Sequence, residues 1–164
     1  MRIVIQRVSD AKVTVADQAV GEISTGLLAL VGFGKADTAD LSSSPIWKKM
    51  LDKMLNLRVF PDDEGKLNKS LIDISGDLMI ISQFTLYADC KKGRRPSFTD
   101  ACHPYIAESL FDRFVDDARK SAPGHVATGE FGAEMHLDFT NWGPVTIILD
   151  SDQFNSGPKP PHQL

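Results

Sequence analysis

Three clusters of residues in the chain have side chains suited to chemistry. In Ser82-Gln83-Phe84-Thr85-Leu86, three hydrogen-bonding side chains follow directly on the apolar run Leu78-Met79-Ile80-Ile81. Polar groups at the end of a buried strand can form a site, because the sheet fixes them while the edge admits a ligand. An ordinary strand end, with its hydroxyls bonded to backbone, is the competing reading. The second cluster is Asn141-Trp142-Gly143-Pro144-Val145-Thr146, a Gly-Pro step just before a strongly apolar strand. Proline donates nothing to a strand ladder, so the step makes most sense where the end of the strand is kept open. In the third, Lys91-Lys92-Gly93-Arg94-Arg95, four cations fall within five residues. Such a rim suits one polyanionic substrate docked in one place through phosphate contacts, and a solvated charge run is the alternative.

The familiar hydrolytic signatures are missing from the sequence: it has no GxSxG, HExxH or CxxC. His103, His125, His136 and His162 are scattered, and no acidic residue clusters with them at metal-ligand spacing, so neither a metal nor a cofactor is expected. Cys90 and Cys102 stand twelve positions apart and read as unpaired thiols in a reducing compartment. Gly32-Phe33-Gly34-Lys35 imitates the end of a phosphate-binding loop, but Ala29 and Ala36 occupy the positions where glycine and Ser or Thr are needed. Thr85 is taken as the candidate nucleophile of the first cluster, and no base stands beside it in sequence.

The elements that must position these groups follow from length and pattern. At about 100–200 residues per domain, 164 residues make one domain over 1–150, with a polar, Pro/Gly-rich tail over 151–164. With 42% apolar and 24% charged residues the body is globular, and no window approaches the roughly 18 apolar residues of a membrane span. Ile3 to Ile5, between Arg2 and Arg7, is too short for a signal peptide and reads as strand, so the cytoplasm is the expected address. A net charge of −4 argues against a protein that coats nucleic acid non-specifically. Strands are expected over 3–8, 12–16, 19–23 and 27–33, with a tight turn at Asp17-Gln18. Ser44 and Pro45 should start a helix burying Trp47, Met50, Leu51, Met54 and Leu55. Further strands are expected over 57–60, 71–74, 77–86, 125–131, 135–140 and 145–149, with 141–144 as a turn. Pro104 opens a second helix burying Ile106, Leu110, Phe111, Phe114 and Val115, and Gly124 follows it as a stop signal. The result is a mixed α/β (α+β) fold, dominated by strands, with two main helices.

Taken in order, Ser82-Gln83-Phe84-Thr85-Leu86-Tyr87-Ala88-Asp89, Gly93-Arg94-Arg95-Pro96-Ser97-Phe98 and Asn141-Trp142-Gly143-Pro144-Val145-Thr146 resemble the D-aminoacyl-tRNA deacylase family. The opening MRIVIQRVSDAKVTV, Gly65-Lys66-Leu67-Asn68 and Phe131-Gly132-Ala133 resemble its pattern too, so the likeness spans about residues 1–150. The resemblance implies a largely antiparallel or mixed sheet curling toward a barrel, and a homodimer that hydrolyses the ester joining a D-amino acid or glycine to the terminal ribose of tRNA. It implies that Gly143-Pro144 is a cis peptide reaching into the partner subunit's pocket, where main-chain carbonyls hold the substrate amino group and exclude an L side chain. Glycine, having no side chain to collide, would pass such a filter.

For catalysis, the resemblance draws Ser82, Gln83, Phe84 and Thr85 into the site. An aminoacyl ester is already activated, so orientation and a backbone oxyanion hole near Gln83 and Phe84 could suffice, with the ribose 2′-hydroxyl positioning or activating water. We favour this substrate-assisted route over a covalent intermediate on Thr85. Lys91, Lys92, Arg94 and Arg95 would bind phosphates of the acceptor end. A rival reading takes the chain as a DNA-binding module without hydrolysis, since relatives of this family have been described as DNA-binding factors. The acidic net charge and small basic rim speak against it. A small-molecule esterase, the third reading, lacks a nucleophile–base pair.

Overall fold

In the computed structural model, residues 1–155 are described; residues 156–164 of the expected tail lie outside them. The sheet is organised around one long strand, β1 (Arg2–Val15). Its first half pairs antiparallel with β3 (Gly26–Gly32), from Arg2 opposite Gly32 to Val8 opposite Gly26. Its second half pairs with β2 (Gln18–Ile23) through a two-residue hairpin at Ala16 and Asp17. Both hairpin residues have positive φ, 48° and 62°, as the favoured two-residue turns require. The turn therefore sits one residue earlier than the sequence suggested. Along its other edge, β1 pairs with β8 (His136–Asp150) for nearly its full length, with register shifts on either side of Val8.

From β3 the sheet continues in parallel fashion to β6 (Asp77–Ser82) and then to β7 (Val126–Thr128). Parallel neighbours need long crossovers. These are supplied by α1 (Pro45–Asn56), between β3 and β6, and α2 (Pro104–Ser121), between β6 and β7. β2 curls back toward β7 so closely that a Cβ on Gly21 would lie 2.8 Å from the Thr128 carbonyl oxygen. The sheet is thus nearly a barrel. A short hairpin of β4 (Phe60–Pro61) and β5 (Leu67–Lys69) lies apart from it.

Two apolar layers result. Val8, Val13, Ile23, Leu28, Met79 and Ile81 fill the inside of the curl. The outer face of the sheet is covered by the two long helices, and Trp47 sits at the centre of this layer. Trp47 stacks on Phe33, meets Phe114 edge-on at 5.2 Å and donates its indole N–H to Asp117 at 3.1 Å. All five α1 positions expected in the core are buried, and Ser44 caps the helix by accepting from the Trp47 amide. Leu78 to Ile81 are buried throughout because β6 has apolar layers on both faces, which explains its unbroken hydrophobic run. Among the described residues, no helix is long and apolar enough to cross a membrane.

Several expectations need correction. Residues 71–74 form a helical turn, not a strand. Asp73 accepts from both the amide and the hydroxyl of Ser70, and the Ile74 amide bonds the Ser70 carbonyl. Local polar side chains here outcompete the β pattern. The strand from Asp77 stops at Ser82, and Phe84–Tyr87 is a 3-10 turn. Residues 141–144 do not form a turn but continue β8, which spans both strands expected on either side of them. Likewise 3–8 and 12–16 merge into β1. The strands at 57–60 and 125–131 shrink to Phe60–Pro61 and Val126–Thr128. After β8 a short helix, α3 (Asp152–Asn155), begins what had been read as tail.

Candidate active site

A cavity of about 580 Å³ opens at the carboxyl ends of β3 and β6. In sheets with parallel strands this is where ligands are received. Ser82, Gln83 and Phe84 form its polar end, while Phe98, Phe131 and Met135 are among its apolar walls. The sequence had already marked the first three residues. Phe131 fell inside its motifs without a role.

The Phe84–Tyr87 turn is held by its surroundings. Ahead of it, the Gln83 amide donates to the Val31 carbonyl at 2.8 Å, continuing the β3–β6 pairing one residue beyond the strand. Gly32 allows this approach, since a Cβ there would come within 2.6 Å of the Gln83 carbonyl oxygen. The turn closes through Leu86 N–H to the Gln83 carbonyl at 3.3 Å and Ala88 N–H to the Thr85 carbonyl at 3.0 Å. The first amides of a helical turn have no partner within it. Here those are the Phe84 and Thr85 amides, which meet no acceptor among the described residues. The geometry corrects one detail of the sequence reading. The Gln83 amide is committed to Val31, so the donors free to meet an oxyanion are Phe84 and Thr85. The Thr85 side chain is exposed and bonded to the Gln83 carboxamide, which is no base. Phe84, 56% exposed, meets Phe98 edge-on at 5.0 Å beside the cavity.

Lys91, Lys92, Arg94 and Arg95 all lie on an exposed loop. Asp89 and Ser97 pinch the loop shut with reciprocal backbone bonds of 2.8 and 2.9 Å, and Gly93 turns it at φ +70°. None of the four cations forms an ion pair among the described residues. The loop joins the turn carrying Phe84 to Phe98, so the positive rim and the cavity share one stretch of chain.

Gly143 and Pro144 are exposed within β8, joined by a cis peptide bond, and neither lines the cavity of their own chain. A residue the sequence reading passed over lies beneath them. Arg7, only 6% exposed, donates Nε to the Trp142 carbonyl at 2.8 Å and Nη1 to the Val59 carbonyl at 2.6 Å. Its guanidinium lies 4.4 Å from the centre of the Trp142 ring. Burial pushes the pKa of this cation down, although two carbonyls and an aromatic face surround it. A signal for Arg7 was available in sequence: positions 3, 5 and 7 share one face of an alternating strand, and Ile3 and Ile5 are core. Asn141 braces the other side, its carboxamide oxygen accepting from the Val145 amide at 2.9 Å and its Nδ2 donating to Gln6 at 2.7 Å.

Cys90 is an exposed free thiol; Cys102 is buried at the cavity wall, where burial raises its pKa.

A protein from Solidesulfovibrio magneticus named D-aminoacyl-tRNA deacylase is 52% identical over 151 residues, covering 92% of this chain and 96% of the relative. One of the same name from Clostridioides difficile is 50% identical over 153 residues, covering 93% of this chain and 99% of the relative. Among solved structures, one titled "c-Myc DNA Unwinding Element Binding Protein" superposes with a TM-score of 0.82 at 38% identity, covering 92% of this chain and 98% of the other. The sequence model described as D-Tyr-tRNA(Tyr) deacylase matches residues 4–150, which include the cavity turn, the basic loop and the Gly-Pro step, and the chain therefore belongs to that family.

Proposed function

We propose that this chain is a D-aminoacyl-tRNA deacylase, hydrolysing the ester between a D-amino acid or glycine and the terminal ribose of tRNA. The observation that carries this reading is the pair of unpartnered amides, Phe84 and Thr85, in a turn whose Phe84 lines a cavity with largely apolar walls. Such donors suit an oxyanion. Water adds to the ester carbonyl carbon, the carbonyl oxygen gains negative charge facing the two amides, and collapse breaks the bond to the ribose oxygen. That oxygen departs with the proton surrendered by water, leaving a free amino acid and tRNA. Removing one oxyanion donor costs about 2.7–4 kcal/mol in other hydrolases, so two fixed amides supply a substantial share of the barrier reduction. With no base bonded to Thr85 among the described residues, the ribose 2′-hydroxyl is the group assigned to guide the water. Ser82 and the Gln83 side chain frame this end of the cavity.

Chiral selection is assigned to the carbonyls of the Gly143-Pro144 segment, which Arg7 and Asn141 hold in place. Since the segment does not line the cavity of its own chain, a second copy must present it. β8 favours such a homodimer: it pairs only with β1 among the described residues and exposes Phe139, Trp142 and Ile148. Exclusion of an L side chain by fixed backbone needs no attraction to the D form, so glycine is cleaved as well. Lys91, Lys92, Arg94 and Arg95 bind acceptor-end phosphates without reading sequence. A protein acting on such substrates works in the cytoplasm.

The solved structure whose title names DNA binding favours a second reading, a DNA-binding module without hydrolysis. The basic rim is confined to one loop, whereas duplex binding uses an extended positive face. One assay separates the readings: purified protein is incubated with D-tyrosyl-, glycyl- and L-tyrosyl-tRNA, and released amino acid is measured. Release from the first two and not the third is the expected result; equal cleavage of both tyrosyl enantiomers, or of none, refutes the proposal. In the same assay Thr85→Ala should retain most activity, and collapse to background would favour a covalent route.

A further inference from the structure

We propose that Arg2 is a positioning residue for deacylation, fixing the far end of the turn that carries the Phe84 and Thr85 amides. This inference rests on the function proposed above, but its geometry stands apart from it. The near end of the turn is anchored to β3 through Gln83 and Val31, whereas at the far end Leu86 lies against Gly32 without a backbone bond to the strand. Its last carbonyls lack partners within the turn. Arg2 supplies one: Nη1 donates to the Leu86 carbonyl at 2.9 Å. The same guanidinium donates Nε to Asp150 at 2.8 Å, so the turn is tied across β1 to the end of β8.

The next residue is held as well. The Arg2 guanidinium carbon lies 4.5 Å from the centre of the Tyr87 ring. The ring also packs against Gly34 so tightly that a Cβ there would come within 2.4 Å of Tyr87 Cε1. Leu86 and Tyr87, two and three residues beyond the first free amide, are thereby both engaged by one side chain. If either end of the turn loosens, the Phe84 and Thr85 N–H groups lose their fixed orientation.

A guanidinium suits this task because its donors are fixed in a planar fork. Nε and Nη1 reach two acceptors at once while the plane covers a ring; an ammonium in the same place serves one acceptor at a time. Arg2→Lys therefore keeps the charge and the pairing with Asp150 but releases Leu86. A residue needed only for surface charge or fold stability would be rescued by lysine, and a positioning residue is not.

The test uses the full chain as wild type, Arg2→Lys and Arg2→Met, with two readouts. Hydrogen exchange over residues 83–88 should be about tenfold faster in both variants, because the turn opens more often without its tie. In steady-state hydrolysis of D-tyrosyl-tRNA, kcat should fall about tenfold with KM within about twofold, as small misplacements of catalytic groups cost rate more than binding. The thermal midpoint of Arg2→Lys should stay near wild type, and if Arg2→Met fails to fold, the lysine variant carries the test. Unchanged exchange over 83–88 in Arg2→Lys overturns the inference whatever the activity. Faster exchange with wild-type kcat overturns it too. A wild-type protein that cleaves no aminoacyl-tRNA refutes the proposed function, while the exchange readout still decides whether Arg2 holds the turn.

Discussion

Replacing Gly143 by alanine tests the geometry of the Gly-Pro segment most directly. Gly143 has φ +135°, and a Cβ there would lie 2.7 Å from Arg7 Nη2, 2.9 Å from Val145 Cγ2 and 3.1 Å from Val145 N. Arg7 cannot simply withdraw, because Nε and Nη1 are bonded to the Trp142 and Val59 carbonyls at 2.8 and 2.6 Å. Holding alanine at such a φ costs about 1–3 kcal/mol. Displacing the guanidinium forfeits one bond from a charged donor, about 1.5–3 kcal/mol. The sum is about 2.5–6 kcal/mol, and at roughly 2–4 °C per kcal/mol for a chain of this size the midpoint should fall by about 5–24 °C. Urea unfolding of wild type, Gly143→Ala, Arg7→Ala and the double variant, at fixed protein concentration, gives the free energies. The two sites should couple by at least about 1 kcal/mol, since removing the guanidinium removes the clash. The variant that folds should also lose discrimination between D- and L-tyrosyl-tRNA. A destabilisation below about 1 kcal/mol, or additive effects in the double variant, would refute this account of why glycine stands there.

The basic loop and the Asp150 carboxyl give two more predictions. Arg94→Ala with Arg95→Ala should raise KM for charged tRNA, leave kcat nearly unchanged, and lower the slope of log KM against log salt by roughly 0.7–0.9 for each phosphate no longer neutralised; an unaltered KM and slope would mark the loop as merely solvated. Burial raises the Asp150 pKa, but bonds from the Asp152 amide and from Arg2 outweigh it and hold the carboxyl below its usual value. A depressed carboxyl stabilises the fold in full above its unfolded pKa of about 3.9, and that contribution disappears as pH falls through the folded value. Asp150→Asn should therefore be less stable than wild type near neutrality and lose less stability on acidification below about pH 4; parallel pH profiles would count against the pairing.

Much of this molecule was legible in its sequence, and the exceptions share a cause. Patterns that report burial were read correctly: the α1 stripe of Trp47, Met50, Leu51, Met54 and Leu55, and the unbroken apolar runs of β3 and β6. The Gly143-Pro144 segment was placed where a site should be, but as a turn between strands. In the structure it belongs to one strand whose pairing with β1 shifts register near Val8, and such irregularity is decided across strands, not along them. Ser70 and Asp73 bent an apolar stretch into a helical turn through side-chain bonds that alternation alone does not register. The Phe84–Tyr87 turn was read as strand because its residues favour β structure. Interactions with Arg2, Gly32 and Gly34, all distant in sequence, decide otherwise. Arg2 and Arg7 were seen only as charges flanking an apolar triplet. Their roles depend on carbonyls at positions 59, 86 and 142, brought near by folding.

The unengaged Phe84 and Thr85 amides have a consequence for how such a site tolerates change. A main-chain N–H survives every side-chain exchange except proline, so a scan of alanine substitutions across the cavity would leave the reacting groups intact and under-report them. Sensitivity should instead concentrate in residues that shape the peptide path, such as Gly32 and Gly34, where an added methyl would strike the Gln83 carbonyl or the Tyr87 ring. Deleting the reacting groups themselves calls for backbone chemistry, with an ester placed where the amide of residue 84 or 85 now stands.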